Sequence, residues 1–256
     1  MCLFLAAIDA HPVYKLVIAA NRDEFYERPT ARAAFWNEAP HILAGKDLRA
    51  GGTWFGITQN GRIGAITNYR DPASLKSDAP SRGKLITDFL MCEDDPETYL
   101  SNVALRAKDY SGFNLVVGIK ERLYWYSNRG SGIRRLTPGV HGLSNHLLDT
   151  PWPKVIRSKA LLNNILVHHP VLSPEPLLAM LHNRTPAPDH ALPDTGVGIE
   201  RERILSPIFI VSPDYGTRSS TIVLLNREDR VLFLERIYGQ GLDQHSDATF
   251  EFIVEG

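Results

Sequence analysis

Apolar, strand-like runs stand at both ends of this chain, and segments of helical periodicity gather between them. Residues 2–9 and 15–20 flank His11-Pro12, a turn signal, so the chain is expected to open as a hairpin. Ile208–Ser212, Ser219–Leu225, Val231–Tyr238 and Thr249–Val254 are expected to close it with further strands. Between the ends, Gly83–Met91 and Pro96–Lys108 carry apolar residues at three- and four-residue spacing, as amphipathic helices do. Asp149-Thr150-Pro151-Trp152-Pro153 resembles a helix start, a polar cap followed by proline, for a helix ending near Val167. A shorter helix follows from Pro174 to His182. This order predicts an α+β sandwich, with strands from both termini side by side in a two-sheet core beneath helices.

Two inner hairpins are also legible. Thr53–Thr58 and Arg62–Thr67 flank Gln59-Asn60-Gly61, and Asn-Gly is the strongest short hairpin signal. Phe113–Ile119 and Leu123–Ser127 form a second pair. Residues 22–50 show no clear period and hold Pro29 and Pro40, which predicts a long irregular segment. Residues 70–82 predict a polar loop, and residues 184–204 a loop able to act as a flap. With no internal repeat or low-complexity linker, residues 1–256 are expected to form one domain.

Charge and cysteine usage narrow the function classes. The formal net charge of −1 supplies no global field for nucleic acid or an acidic membrane. Two cysteines, Cys2 and Cys92, do not make a disulfide framework, so a cytoplasmic, reducing setting is expected. The apolar run at Leu3–Ile8 stops at Asp9, too short for a signal-peptide core or a membrane span. No metal site is expected: His168-His169 closes a helix, and the remaining histidines are scattered. There is no Cys-x-x-Cys-His attachment motif and no phosphate-loop or dinucleotide glycine pattern.

The chemistry centres on Cys2. Removal of Met1 would put a thiol (reference pKa about 8.5) and an α-amine (about 7.7–8.0) on one residue, a nucleophile with its own base. The alternative is a small buried residue in a first strand. Asn21-Arg22-Asp23-Glu24 follows the second strand, where hairpin pairing would bring it near Cys2. A carboxylate there can orient an ammonium, and Arg22 can depress a thiol pKa or hold a substrate carboxylate. Gly51-Gly52 suits positive φ or close backbone approach. Trp54 fits either strand core or a pocket wall.

Taken together and in order, Met1-Cys2, Ala20-Asn21-Arg22-Asp23-Glu24-Phe25, Gly51-Gly52-Thr53-Trp54-Phe55-Gly56, Thr67-Asn68-Tyr69-Arg70, Ser81-Arg82-Gly83 and Gly216-Thr217-Arg218-Ser219-Ser220-Thr221 resemble the NRDE-domain family across nearly the whole chain. That family includes the transport and Golgi organisation proteins. The resemblance implies an αββα four-layer, N-terminal-nucleophile-hydrolase-like fold. It also implies links to hydrolysis, haem trafficking and acyl-lipid handling. A more distant similarity runs to cholylglycine hydrolases and penicillin V acylases. It implies Cys2 as nucleophile, Asp23 beside its amine, Asn68 and Asn145 as oxyanion or substrate donors, and Arg218 as a late active-site arginine. The hydrolases' arginine three residues before the aspartate falls here on Ala20, with Arg22 the nearest replacement.

Beside an interaction protein with an inherited, inactive pocket, two functions follow. One is a cysteine hydrolase of a small amide, with Cys2, Asp23, Asn68 and Asn145 catalytic and Asn21, Arg22, Arg218 and Trp54 binding substrate. The other is a non-catalytic carrier of haem or an acyl-CoA-like amphiphile, in which haem is cargo and no cofactor is required. Either takes a small-molecule ligand, and no residue specifies an oligomer.

Overall fold

The computed structural model describes residues 3–239 and 244–255, so Met1 and Cys2 lie outside the described residues. The chain opens with β1 (Leu3–Ile8), β2 (Tyr14–Phe25), β3 (Thr30–Trp36), β4 (Ala39–Asp47), β5 (Phe55–Thr58) and β6 (Arg62–Asn68). Helices α1 (Gly83–Met91) and α2 (Pro96–Arg106) follow, then β7 (Phe113–Ile119), β8 (Arg122–Ser127), β9 (Arg134–Arg135) and β10 (Gly139–Leu143). Helices α3 (Pro153–His168), α4 (Pro174–Leu181) and α5 (Ile199–Leu205) precede the closing strands β11 (Tyr215–Asn226), β12 (Arg230–Tyr238) and β13 (His245–Ile253).

The strands form two antiparallel sheets, ordered β10-β1-β2-β11-β12-β13 and β3-β4-β5-β6-β7-β8-β9. The amino-terminal hairpin thus lies directly against the carboxy-terminal strands, with β2 paired to β11. Side-chain alternation divides each strand between two cores. From β1 and β2, Phe4, Ala6, Ile8, Leu16, Ile18 and Ala20 meet Phe55, Ile57, Ile63 and Val116 of the other sheet. Their alternates Leu3, Leu5, Ala7, Val17 and Ala19 pack under Leu162, Ile165, Leu177 and Leu181 of α3 and α4. On the far side, Leu85, Ile86, Phe89, Tyr99, Leu100 and Val103 of α1 and α2 cover Phe113, Leu115 and Val117. The result is the expected αββα layering, and covering both faces explains why the strands are apolar without alternation.

Four expectations are corrected. Residues 22–50 are largely strand: β2 runs on to Phe25, and β3 and β4 form an edge hairpin. Register shifts in that hairpin, between Ala31 and Ala34 and between Phe35 and Trp36, break the period. Ile208–Ser212 is not a strand beyond a single bridge from Val211 to Gly216, although Ile208, Phe209 and Ile210 are buried. Neither Asp149 nor Thr150 caps α3, because Trp152 occupies that position and the Asp149 carboxylate is engaged by Gly142 N and His141 of β10. Residues 184–204 contain most of α5, a short helix the sequence pattern did not suggest.

Candidate functional site

The site is built where β2 ends beside β1 and β11. Leu3 stands opposite Asn21 in the β1–β2 register, and Asn21, Arg22 and Asp23 stand opposite Ser220, Ser219 and Thr217 of β11. The register slips between Thr217 and Ser219, leaving Arg218 as the extra residue of a bulge. Arg218 Nη1 donates to the carbonyls of Phe25, Tyr26 and Arg28 at 3.0, 3.1 and 3.2 Å, pinning the chain that leaves β2.

Strand alternation sends the polar residues to opposite faces. Arg22 shares the inter-sheet face with Ala20, two residues earlier. Its guanidinium lies 4.2 Å over the Trp54 ring and 3.8 Å from Glu24. Burial pulls the Arg22 pKa down from its ordinary value, and Glu24 works against that shift. Trp54 fits because Gly45 leaves it space: a Cβ there would come within 2.4 Å of the ring. Asn21 and Asp23 face the helix layer instead. Asn21 is wholly buried, donating to the carbonyls of Leu181 and Ile208 at 2.9 and 2.8 Å and accepting from Ser220. This corrects the expectation of Asn21 as a ligand-facing residue, since its amide is spent on structure. Asp23 accepts a 2.6 Å hydrogen bond from the Thr217 hydroxyl.

A cavity of about 670 Å³ opens on the Arg22–Trp54 stack and is also lined by Asn68 at the end of β6. Its wall carries five cationic side chains, Arg22, Arg28, Arg49, Lys76 and Arg82, against two carboxylates, Glu24 and Asp47. Arg28 Nε holds Asp47 at 2.7 Å. Burial alone would raise the Asp47 pKa, but Arg28 and the amides of Ala50 and Arg49 hold it below the ordinary range. The Asp47 turn leads to Gly51, at φ +75°, and to Gly52, where a Cβ would lie 2.6 Å from the Gly83 carbonyl carbon. That close approach fixes the amino end of α1 against the cavity rim.

A smaller cavity of about 90 Å³ shares Arg22 and Trp54 and adds Arg218, Ser219 and Glu235. Glu235 is 2% exposed and accepts from Ala33 N, the amide stranded by the β3 register shift, at 2.6 Å. Burial pushes its pKa up.

Asn145 stands one layer behind Asn68. Its Nδ2 donates to the Asn68 carbonyl at 3.0 Å, its carbonyl accepts from Arg70 N at 2.7 Å, and Arg70 Nη2 lies 3.3 Å from its Oδ1. Arg22, Trp54 and Asn68 therefore share the larger cavity and Arg218 the smaller, while Asn145 touches the site through Asn68. Cys2 lies outside the described residues. Arg28, Asp47, Glu235 and Arg70 carry no role in the sequence reading, although Arg70 lies within the quoted Thr67–Arg70 motif. Among the described residues, no three His, Cys, Asp or Glu side chains are grouped to hold a metal ion.

Two sheets between helix pairs define the class as an N-terminal-nucleophile-hydrolase fold. A C2A variant of conjugated bile acid hydrolase from Clostridium perfringens matches with a TM-score of 0.51 at 9% identity, covering 98% of this chain and 97% of that one. A family model, transport and Golgi organisation 2, matches residues 1–240. The human transport and Golgi organization protein 2 homolog is 36% identical over 277 residues, covering all of both chains. The Drosophila melanogaster protein of that name is 31% identical, covering 96% of this chain and 95% of its own. The chain belongs to the transport and Golgi organisation 2 family.

Proposed function

We propose that the protein is an N-terminal cysteine hydrolase of a small amide bearing an anionic group. The observation that carries this reading is the β1–β2 register. β1 begins one residue after Cys2, opposite Asn21, and the next residue of β2 is the cavity arginine Arg22. Removal of Met1 frees the Cys2 amine, which takes the thiol proton as Sγ attacks the amide carbon. The same amine returns that proton to the departing nitrogen, leaving a thioester. Water, deprotonated by the amine, then releases the acid and restores the thiol. Asp23 orients the amine. Asn68, exposed at the end of β6 in the cavity wall, donates to the oxyanion.

Arg22 holds the anion in this reading. It carries five N–H donors, and its guanidinium lies over the Trp54 face and 3.8 Å from Glu24. It also extends from the same strand face as Ala20, which favours it as the stand-in for the arginine that the distant hydrolases carry at that position.

The cationic wall favours a second reading, a carrier whose ligand, such as haem or an acyl-CoA-like amphiphile, presents carboxylates or phosphates to the arginines. Intact-mass measurement and Cys2→Ala separate the two. The hydrolase loses Met1, cleaves an anionic amide, and on Cys2→Ala loses at least about 1,000-fold in turnover while retaining ligand binding. A carrier binds its ligand stoichiometrically, cleaves no amide and is indifferent to Cys2→Ala. Retention of Met1, which blocks the amine, would exclude the hydrolase. No helix among the described residues is long and apolar enough to cross a membrane. We place the activity in the cytoplasm, where Cys92 stays a free thiol.

A further inference from the structure

Half-buried Arg70 and buried Glu202 form an ion pair that the hydrolase chemistry does not use. Glu202, on α5, is 2% exposed, and its Oε2 accepts from Arg70 Nη1 at 2.7 Å. Its other oxygen accepts from the amide and hydroxyl of Thr195, so the carboxylate also ties down the chain leading into α5. The Arg70 guanidinium lies 5.1 Å over Trp152, and its second arm reaches Asn145 Oδ1. Asn145 in turn donates to the Asn68 carbonyl and accepts from the Arg70 amide, clamping the end of β6 from both sides. A surface contact would need none of this. A carboxylate taken out of water repays its desolvation only with good geometry and further hydrogen bonds, and Glu202 has both.

We propose that the Arg70–Glu202 pair makes α5 and the chain before it a strap that positions Asn145 and, through it, the cavity residue Asn68. Arg70 is thus a positioning residue, and the strap fixes the backbone from which the Asn68 side chain extends. The catalytic consequence rests on the hydrolase reading. The mechanical coupling does not.

Hydrogen exchange on the full chain tests the coupling without any substrate. Arg70→Gln is the first variant, because Glu202 keeps its Thr195 donors and shares its cleft with Lys154, so its charge is not stranded. It is expected to speed exchange at least about tenfold both in residues 189–205 and in residues 143–147. Glu202→Gln should reproduce this pattern. Arg70→Lys should restore part of the protection, since it keeps the charge but loses the fork. Asp189→Asn, which removes the exposed Arg203–Asp189 pair, should loosen residues 189–205 alone. If Arg70→Gln and Glu202→Gln also loosen only residues 189–205, or leave both segments unchanged, the strap is refuted. Where amide turnover is found, Arg70→Gln should lower kcat about 10- to 100-fold with KM within about threefold. A KM change without a kcat change would overturn the positioning role. Absence of turnover in every form, wild type included, would count against the hydrolase reading and leave the exchange result to decide the strap.

Discussion

Two carboxyl groups, Asp149 half-buried and Glu235 buried, show how an acid gains opposite roles from its surroundings. Burial alone would raise the Asp149 pKa, but hydrogen bonds from His141, Lys159 and the Gly142 amide outweigh it and hold it well below the ordinary range. Its folded value lies beneath the unfolded one of about 3.9, so the unfolded state binds more protons between them. The stabilisation is therefore complete above about pH 5 and is lost as pH falls through the unfolded value toward the folded one. Asp149 also sits at φ +58°, a conformation that asparagine tolerates, so Asp149→Asn isolates the charge. We expect a loss of about 1–3 kcal/mol at pH 7 that shrinks toward pH 3, read from denaturant unfolding at several pH values. Glu235 has the opposite sign. Its raised folded pKa means that stability falls as pH rises from the unfolded value of about 4.3 through the folded one. Glu235→Gln keeps an acceptor for Ala33 N and should remove that downward slope in the same measurement. The sequence singled out neither residue for this role. A carboxyl acquires its pKa from neighbours remote in the chain, here Ala33 for Glu235 and His141 and Lys159 for Asp149.

At the scale of elements, the helices α1, α2, α3 and α4 fall close to their sequence periods, and so do the hairpins around Gly61 and between β7 and β8. Each declares itself through local spacing or a turn residue. The β3–β4 hairpin does not, because its register shifts erase the period. β10 and β9 are short and acquire their identity only from the partner strands β1 and β8. α5 is a single short helix whose burial rests on one ion pair rather than an apolar stripe. The motif glycines are accounted for by approach between elements: Gly52 lies against Gly83, joining the β4–β5 connection to α1. Gly52→Ala would press a methyl group into backbone rather than a movable side chain. It should cost about 1–3 kcal/mol and reduce Tm, and by shifting the cavity rim it should weaken binding of any anionic ligand. An unchanged Tm would show that the α1 junction is not tightly packed.

For the whole molecule, the shared core between the sheets is the main structural fact. Phe55 of one sheet meets Phe233 of the other with ring centroids 6.0 Å apart, and both are buried. Phe233→Ala should cost about 3–5 kcal/mol, because the surrounding strands cannot collapse into the space left. We expect the chain to unfold as one domain, in a single transition that far-ultraviolet circular dichroism and tryptophan fluorescence report together. Two separated transitions would show that the sheets are independent units.

From the sequence alone came the α+β class, the terminal hairpins, the helix pairs and the family, together with the cluster after β2 and the interest of Cys2, Asn68 and Arg218. These are local properties: periodicity, turn chemistry and motif order survive in a linear reading. Which face each residue occupies was decided only by the tertiary structure. Asn21 and Asp23 turn to the helix layer and Arg22 to the cavity because one residue along a strand reverses the side chain. Arg218 is re-aimed by a bulge, and Asn145 reaches Asn68 because β10 pairs with β1. Pairing partners and bulges depend on contacts between segments far apart in the chain, such as Asn21 with Ser220, 199 residues on. No local pattern carries that information.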